Sequence, residues 1–404
     1  MIGNKNIAIF ILVLLLCSIP KLSYSAKLEV QYAGFTTTGN YDDRDKFAPY
    51  TSKILNIIDK ERGIDVISLS LLKTIQDIDP NHFKIVVGGD GSDFKKSADQ
   101  VVMSIGLDYE DFSYDYDEGN EIYLNTIDLY FQIIFFNFNE SSGTYTLLAS
   151  IPYRAELTSL SNSKLTNNQV LELIKDFYTT GLSDVSGKDK VNAFSRARSL
   201  LKDFKLKIKY KNRIGVTKVV IEEKAIKYIP KKFTENPTVL KNIISHTFSS
   251  SLSMLNNVSV VPFSEGANLG KMRAVFVDSG KVYDIKLPRP DYNIEIRLRG
   301  FKRVVSREGD VFSVHVFGSF TGMKIFQPDL DKVYIESKIK NGFPDKIPNN
   351  IKELAEWPRF FFSLRQQFMR FNNTDNIDKD WLQSNTKITN EQFANYKVVL
   401  SRCR

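Results

Sequence analysis

Ala225-Ile226-Lys227-Tyr228-Ile229-Pro230, then a polar turn, a helix opening at Pro237-Thr238, and Val258-Ser259-Val260-Val261 make one compact run of alternating element signals. The first run reads as a short strand and the last as a second one. Between them Val239, Leu240, Ile243, Ile244, Phe248, Leu252 and Leu255 recur at three- and four-residue spacings, which makes one apolar stripe on a helix. The unit is strand, helix, strand. Roughly 190 residues earlier the same order reads as Val30–Phe35, a helix over Phe47–Ile58, and Val66–Leu69, which suggests two copies of one domain.

Working outward, the first half reads as mixed α/β. Ile64–Leu69 reads as a strand, Ser70 to Ile75 as a short helix, and Phe83–Val87 and Gln100–Ile105 as further strands around a turn at Gly88-Gly89-Asp90-Gly91. Asp108 to Glu121, rich in acids and tyrosines, reads as a solvated loop. Ile127–Phe138 is the most apolar strand, with both alternating faces aromatic or branched, so both faces should be covered. Asn139–Thr144 turns the chain into a hairpin partner, Tyr145–Tyr153. Thr166 precedes an amphipathic helix that bears Val170, Leu171, Leu173, Ile174 and Phe177 and ends near Gly181.

Asp184–Asp189 is a polar linker, followed by a helix over about Val191–Phe204. In Lys205, Lys207, Lys209, Lys211 and Arg213 cations alternate with other residues at strand period, so one basic face is expected. In the second half, Pro290–Ile296 corresponds to Ala98–Ser104, Val311–Phe320 to the aromatic strand, Thr321-Gly322 to the hairpin turn at Ser142-Gly143, and Pro348–Leu354 to the start of the Thr166 helix. The fold class is therefore α/β, two tandem mixed sheets flanked by helices. The divisions are 26–185, a linker helix and strand at 186–215, 216–371, and a tail at 372–404 in which Tyr396–Leu400 would add an edge strand.

At the amino terminus a lysine-bearing start precedes ten uncharged residues, Ile7 to Leu16, and Ser23-Tyr24-Ser25 supplies small residues at the minus-three and minus-one positions. That is a secretory signal peptide over residues 1–25, cut between Ser25 and Ala26. Anchoring through Cys17 is disfavoured because Leu16 stands where lipoprotein processing needs a small residue. Cleavage removes two lysines and no acids, so the formal charge falls from +8 to +6. So modest a surplus allows contact with an anionic membrane surface or an acidic protein, and it lacks the dense basic stripe of a nucleic-acid binder. With Cys17 removed, Cys403 is a lone thiol, and the core must rest on apolar burial.

The order strand, Phe35-Thr36-Thr37-Thr38-Gly39 loop, helix, strand, Ala98-Asp99 strand, then a hairpin turning at Ser142-Gly143, with Pro290-Asp291 and Thr321-Gly322 in the second half, carries a resemblance. It resembles the α/β domain shared by the TolB amino-terminal domain and the curli secretion protein CsgG. The resemblance implies a periplasmic or outer-membrane-associated protein that works by binding other proteins. The chain lacks a lipobox, the long hairpin pairs of a channel and the propeller repeats of TolB, so only the domain fold carries over.

Catalytic signals are sparse. His82, His246 and His315 are the three histidines, each in a different element and without a second ligand at metal spacing. There is no Gly-x-Ser-x-Gly elbow, Walker loop or Gly-x-Gly-x-x-Gly after a strand. The acids of the 108–121 stretch could gather around calcium, but their spacing does not match the EF-hand, and no cofactor or metal is expected. Trp357–Phe371 combines aromatics with arginines. Phe361, Leu364, Phe368 and Phe371 suit a core face, while Trp357, Phe360, Phe362 and Arg365 widen it toward a partner patch. The expected function is a non-enzymatic interaction or assembly subunit of the envelope, with envelope proteins or further copies of itself as partners. The rival is a secreted hydrolase or effector using His82, Asp90, Asp93 and the acidic loop.

Overall fold

The computed structural model describes residues 27–38, 44–87, 100–117, 119–139, 144–183, 190–263, 271–276, 282–349, 354, 356–373 and 389–404. The proposed signal peptide with Ser25 and Ala26, the turns at 88–91 and 141–143, Asp90 and Asp93, and the 184–189 linker lie outside them.

The elements in order are β1 (Leu28–Thr37), α1 (Arg44–Phe47), α2 (Pro49–Ile54), α3 (Val66–Gln76), β2 (Phe83–Val86), β3 (Val101–Asp117), β4 (Ile122–Asn139), β5 (Thr144–Ser161), α4 (Asn167–Thr179) and α5 (Ser195–Lys202). There follow β6 (Ile214–Ile221), α6 (Glu223–Ile226), α7 (Lys231–Thr234), α8 (Pro237–Asn256), β7 (Val260–Val261), β8 (Lys271–Phe276) and β9 (Val282–Lys286). The chain ends with β10 (Tyr292–Arg307), β11 (Phe312–Gln327), β12 (Lys332–Pro348), α9 (Glu356–Asn372) and α10 (Asn390–Cys403). They build two mixed sheets flanked by helices.

The first sheet runs β2-β1-β3-β4-β5 and the second β7-β6-β10-β11-β12. In each, the first strand in sequence (β1 or β6) pairs in parallel with both of its neighbours, and the last three strands form an antiparallel meander. Each sheet is followed by a helix, α4 or α9. The hairpin β8–β9 breaks the symmetry: β9 pairs with β5 and β8 with β1, so the first sheet closes on itself with strands contributed by the second half.

The core forms in layers. Helices α3, α4 and α5 cover one face of the first sheet with Ile67, Leu71, Ile75, Val170, Ile174, Phe177 and Leu201. Helices α8, α9 and α10 bury their apolar sides on the second sheet through Leu240, Ile244, Phe248, Leu364, Phe368, Tyr396 and Leu400. The opposite side of α8 meets the first sheet, where His246 bonds to the Phe131 carbonyl and Ser259 beyond the helix bonds to Ser150. That side is rich in Ser and Thr, whose hydroxyls turn back onto the chain, as Thr247 does to Ile243 O and Ser253 to Val258 O. Small side chains, several of them bonded back to their own helix, let it lie between two sheets.

Several expectations hold. The α8 stripe is buried except at Leu255, and both faces of the central part of β4 are covered. Helix α4 opens on a Thr166/Gln169 capping box, and Gly181 follows its end with a φ of 68°.

Others are corrected. Ala225–Pro230 is the helical turn α6 and its exit, and the strand is Ile214–Ile221 just before it. Ala225 and Ile229, four apart, face inward while Ile226 faces out, and Pro230 has no N–H for a ladder. Ile64–Leu69 belongs to no strand, because Asp65 accepts from the Ile67 and Ser68 amides and nucleates α3. The Phe47–Ile58 helix is split into α1 and α2 at Pro49, and the Val191–Phe204 helix shrinks to Ser195–Lys202. Residues 108–117 form the second half of β3 rather than a loop: Tyr109 to Asp117 pair with β4, and Asp108 sits at the bulge between Leu107 and Tyr109. Thr321-Gly322 lies inside β11, opposite Leu298 and Arg297. Pro348 ends β12, and the helix begins at Glu356. Tyr396–Leu400 is helical, since the Thr389/Gln392 capping box starts α10 and places Phe393, Tyr396, Leu400 and Cys403 on one buried face.

Candidate functional site

Between the first sheet and helices α7 to α9 lies a charged seam. Asp111, Asp128 and Glu156 stand directly opposite one another on β3, β4 and β5. Three like charges on adjacent strands repel one another and need cations. Arg154 ion-pairs with Asp128 and donates from Nη1 to Glu156 Oε2 at 2.8 Å. Arg365 Nη1 lies 3.4 Å from the same oxygen, and Lys232 pairs with Asp111. One cation comes from the sheet itself and two from the second half, so neutralisation requires the halves to meet. Further along β3, Asp115 accepts from Arg359 at 3.1 Å, and Arg359 Nε donates to Asp345 at 2.7 Å.

Burial raises the carboxyls of Asp111, Asp115 and Asp128 above the usual range, against the pull of their cations. Burial acts the same way on Glu156, but Arg154 and Arg365 together bring it below the usual value.

Next to this row, His246 Nε2–H donates to the Phe131 carbonyl at 2.9 Å and lies 3.6 Å from Asp108 Oδ2. Asp108 also accepts from Gln132 Nε2 at 2.6 Å and from the Thr38 hydroxyl. Burial pushes Asp108 up to about 7 and His246 down to about 4. The imidazole is thus neutral, and its Nδ1 is buried with no hydrogen-bond partner among the described residues. Glu110 accepts from the Thr51 amide at 3.0 Å and from the Thr51 hydroxyl, and burial raises it to about 7.

A cleft of about 620 Å³ opens on the seam between β5, α5, α8 and α9, and a second of about 250 Å³ shares Tyr130, Arg154, Glu156, Phe362 and Arg365 with it. The outer face of the second sheet is different in kind. Its register runs Lys218, Glu295, Lys324, Glu336 in one row and Arg297, Gly322, Lys338 in the next, and Lys340 follows opposite Phe320. Arg297, Glu336, Lys338, Lys340 and Lys346 are exposed. Beyond Phe301 both faces of β10 are in solvent, with Val304, Val305 and Phe312 open at that end.

The residues singled out in the sequence separate. Lys205, Lys207, Lys209, Lys211 and Arg213 do not line a strand: the segment is irregular up to Ile214, and Ile208 is exposed along with the lysines. Arg213 instead ties the halves together, its amide donating to Asp291 at 2.7 Å and its Nη1 to Leu147 O at 3.1 Å. On α9, Phe360 is fully buried against Tyr228, Phe301 and Phe317 and is core, not patch. Trp357 packs against Phe233 and Phe361, while Phe362 and Arg365 line the cleft. His82 is exposed before β2, apart from buried His246. Among the described residues no group of three or more His, Cys, Asp or Glu could hold a metal ion, and no helix is long and apolar enough to cross a membrane. Burial pushes the Cys403 thiol up to about 12.

Asp128, Arg154 and Glu156 carry the seam without having been chosen from the sequence as site residues. The available signal was a charge set inside strand runs that are apolar on both faces, which must find a buried partner.

No protein-family model matches the chain, and no curated protein matches it. Among solved structures, a Xanthomonas campestris protein of family DUF330 is similar at 17% identity and a TM-score of 0.15, over 21% of this chain and 45% of that one. The chain therefore spans less than half the length of that protein. An NTF2-like protein involved in plasmid conjugation is similar at 11% identity and a TM-score of 0.10, over 62% of this chain and 81% of that one.

Proposed function

We propose that this chain is an exported, non-enzymatic protein of the cell envelope, built from two copies of one α/β unit, which acts as a binding subunit for another envelope protein. The bare outer face of the second sheet carries this reading. The first sheet is covered by helices on one face and by the second half on the other, whereas Arg297, Lys338, Lys340 and Lys346 look into solvent. A face on which exposed Arg297, Lys338, Lys340 and Lys346 outnumber exposed Glu336 suits an acidic face of a protein partner, which it would steer by charge and hold by contact. The shared strand order of the two sheets supports the duplication, and the signal-peptide pattern and the resemblance to the TolB and CsgG domain support the compartment.

A photo-crosslinking residue at Lys338 or Lys340, in cells carrying the protein at its native level, should capture one discrete envelope protein. The same residue at Glu172, exposed on α4, should not. Equal capture at both places, or none at Lys338 and Lys340, would remove the reading. Sequencing the amino terminus of the fractionated protein tests export, with Ala26 as the expected first residue.

A further inference from the structure

Three guanidinium groups line one cleft, and two carboxylates answer them. Arg154 and Arg365 share Glu156, and Arg154 also holds Asp128. Arg196, from α5, has no ion pair among the described residues, and its guanidinium contacts the sulfur of Met254. Burial and then the neighbouring arginines weaken proton binding at both Arg196 and Arg365, the electrostatic mark of cations held closer than they would choose.

Two further groups are left open. Arg154 Nε, a donor, and His246 Nδ1, an acceptor in the neutral ring, are buried and lack partners, and both residues line the cleft. Both atoms lie behind the cleft wall, so the group that faces an incoming anion without a carboxylate of its own is the Arg196 guanidinium. The rest of the wall is largely apolar. Val191, Met254, Phe362 and Met369 supply it, and methionine adapts to flexible chains. The volume of about 620 Å³ lies in the range of small-molecule sites.

We propose that this cleft binds a single-chain amphiphile with an anionic headgroup, a carboxylate or a phosphate monoester, with the head among Arg154, Arg196 and Arg365 and the chain along Met254, Phe362 and Met369. The inference does not depend on the envelope role. Dispersed charge on the guanidiniums suits a planar carboxylate or a phosphate by paired N–H donation, and the methionines suit an acyl chain.

The test is calorimetric titration of the purified chain with dodecanoate and with dodecyl phosphate, each below its micelle concentration. Dodecyltrimethylammonium and inorganic phosphate serve as comparison probes. At least one anionic amphiphile should bind one to one, the cationic one should not bind, and inorganic phosphate should bind at least about ten-fold more weakly, a difference of about one factor of ten in Kd. Preference for dodecanoate assigns a free fatty acid, and preference for dodecyl phosphate assigns a lysophospholipid-like ligand. Arg196→Glu should weaken binding about ten-fold or more, and Ser250→Trp should abolish it by filling the cleft. Both should leave the thermal midpoint near that of the parent, and Arg196→Gln replaces Arg196→Glu if the latter does not fold. The proposal falls if neither anionic amphiphile binds, if dodecyltrimethylammonium binds as tightly, or if the Arg196 and Ser250 variants keep the parent affinity.

Discussion

The two sheets share a strand order and treat their charges in opposite ways. On the first, the row Asp111, Asp128, Glu156 is of one sign and is covered by the second half, with Lys232 and Arg365 reaching over from α7 and α9. On the second, the row Lys218, Glu295, Lys324, Glu336 alternates in sign and needs no cover. A cross-strand row of alternating sign satisfies itself in water, where each pair is worth little. A row of one sign can exist only where another part of the molecule brings the opposite charge. The difference therefore tells which sheet face meets the rest of the chain and which stays in solvent.

Arg154→Met should have the largest effect on stability. It strands Asp128 without its cation in the seam and should cost about 3–5 kcal/mol in denaturant unfolding, whereas Arg297→Met on the bare face should stay within about 0.5 kcal/mol. The pair Asp128→Leu with Arg154→Met should recover part of the loss, because it removes the uncompensated acid. Equal costs for Arg154→Met and Arg297→Met would mean that the seam is wet and the two rows are alike.

How much of this was legible follows from which residues set it. The α8 stripe, the apolar β4 and the Thr166 cap are local patterns, and each produced its element where expected. The failures were decided by partners distant in sequence. Tyr109 to Asp117 looks like a polar loop until β4 pairs with it and Lys232 and Arg359 neutralise its acids. Val66 to Leu69 has the composition of a strand, but the Asp65 cap and helix neighbours overrule propensity. The seam could be glimpsed in Asp128 and Arg154 as charges within apolar strands, while Arg365, read from the sequence as part of a partner patch on α9, turns inward to Glu156 of the first sheet.

Asp108 makes the stability of the enclosed sheet depend on pH. Its carboxyl is raised to about 7 by burial, so the folded state binds the proton more tightly than the unfolded chain does. Its contribution to stability is therefore full below the ordinary carboxylate range, is lost as pH rises from about 4 to about 7, and is flat above. Glu110, raised to about 7, adds in the same direction, and His246, lowered to about 4, opposes both between about 6.5 and 4. Asp108→Asn should abolish the Asp108 share of this fall. Its stability relative to the parent should grow across that window, by an amount on the order of 2 kcal/mol. Urea unfolding of both proteins at pH 5 and pH 8 checks it. A variant less stable than the parent at pH 8 would mean that the carboxylate is wanted charged, with His246 protonated beside it.

The smallest effect on stability is expected at Lys338 and Lys340, where the comparison makes its sharpest functional claim. Both are exposed on β12, opposite Gly322 and Phe320, with no ion pair among the described residues. Replacing both by Glu leaves the ladder intact and adds four units of negative charge to a solvated face, so unfolding should change by no more than about 0.5 kcal/mol. If an acidic protein docks there, the same change turns attraction into repulsion and should abolish capture by a crosslinker placed nearby. The two readouts separate the possibilities. Lost capture with unchanged stability makes the bare face a binding surface, and unchanged capture makes it merely solvated. Lost stability would show that this face is covered in the folded chain after all, so that both sheets are enclosed and the contrast between them disappears.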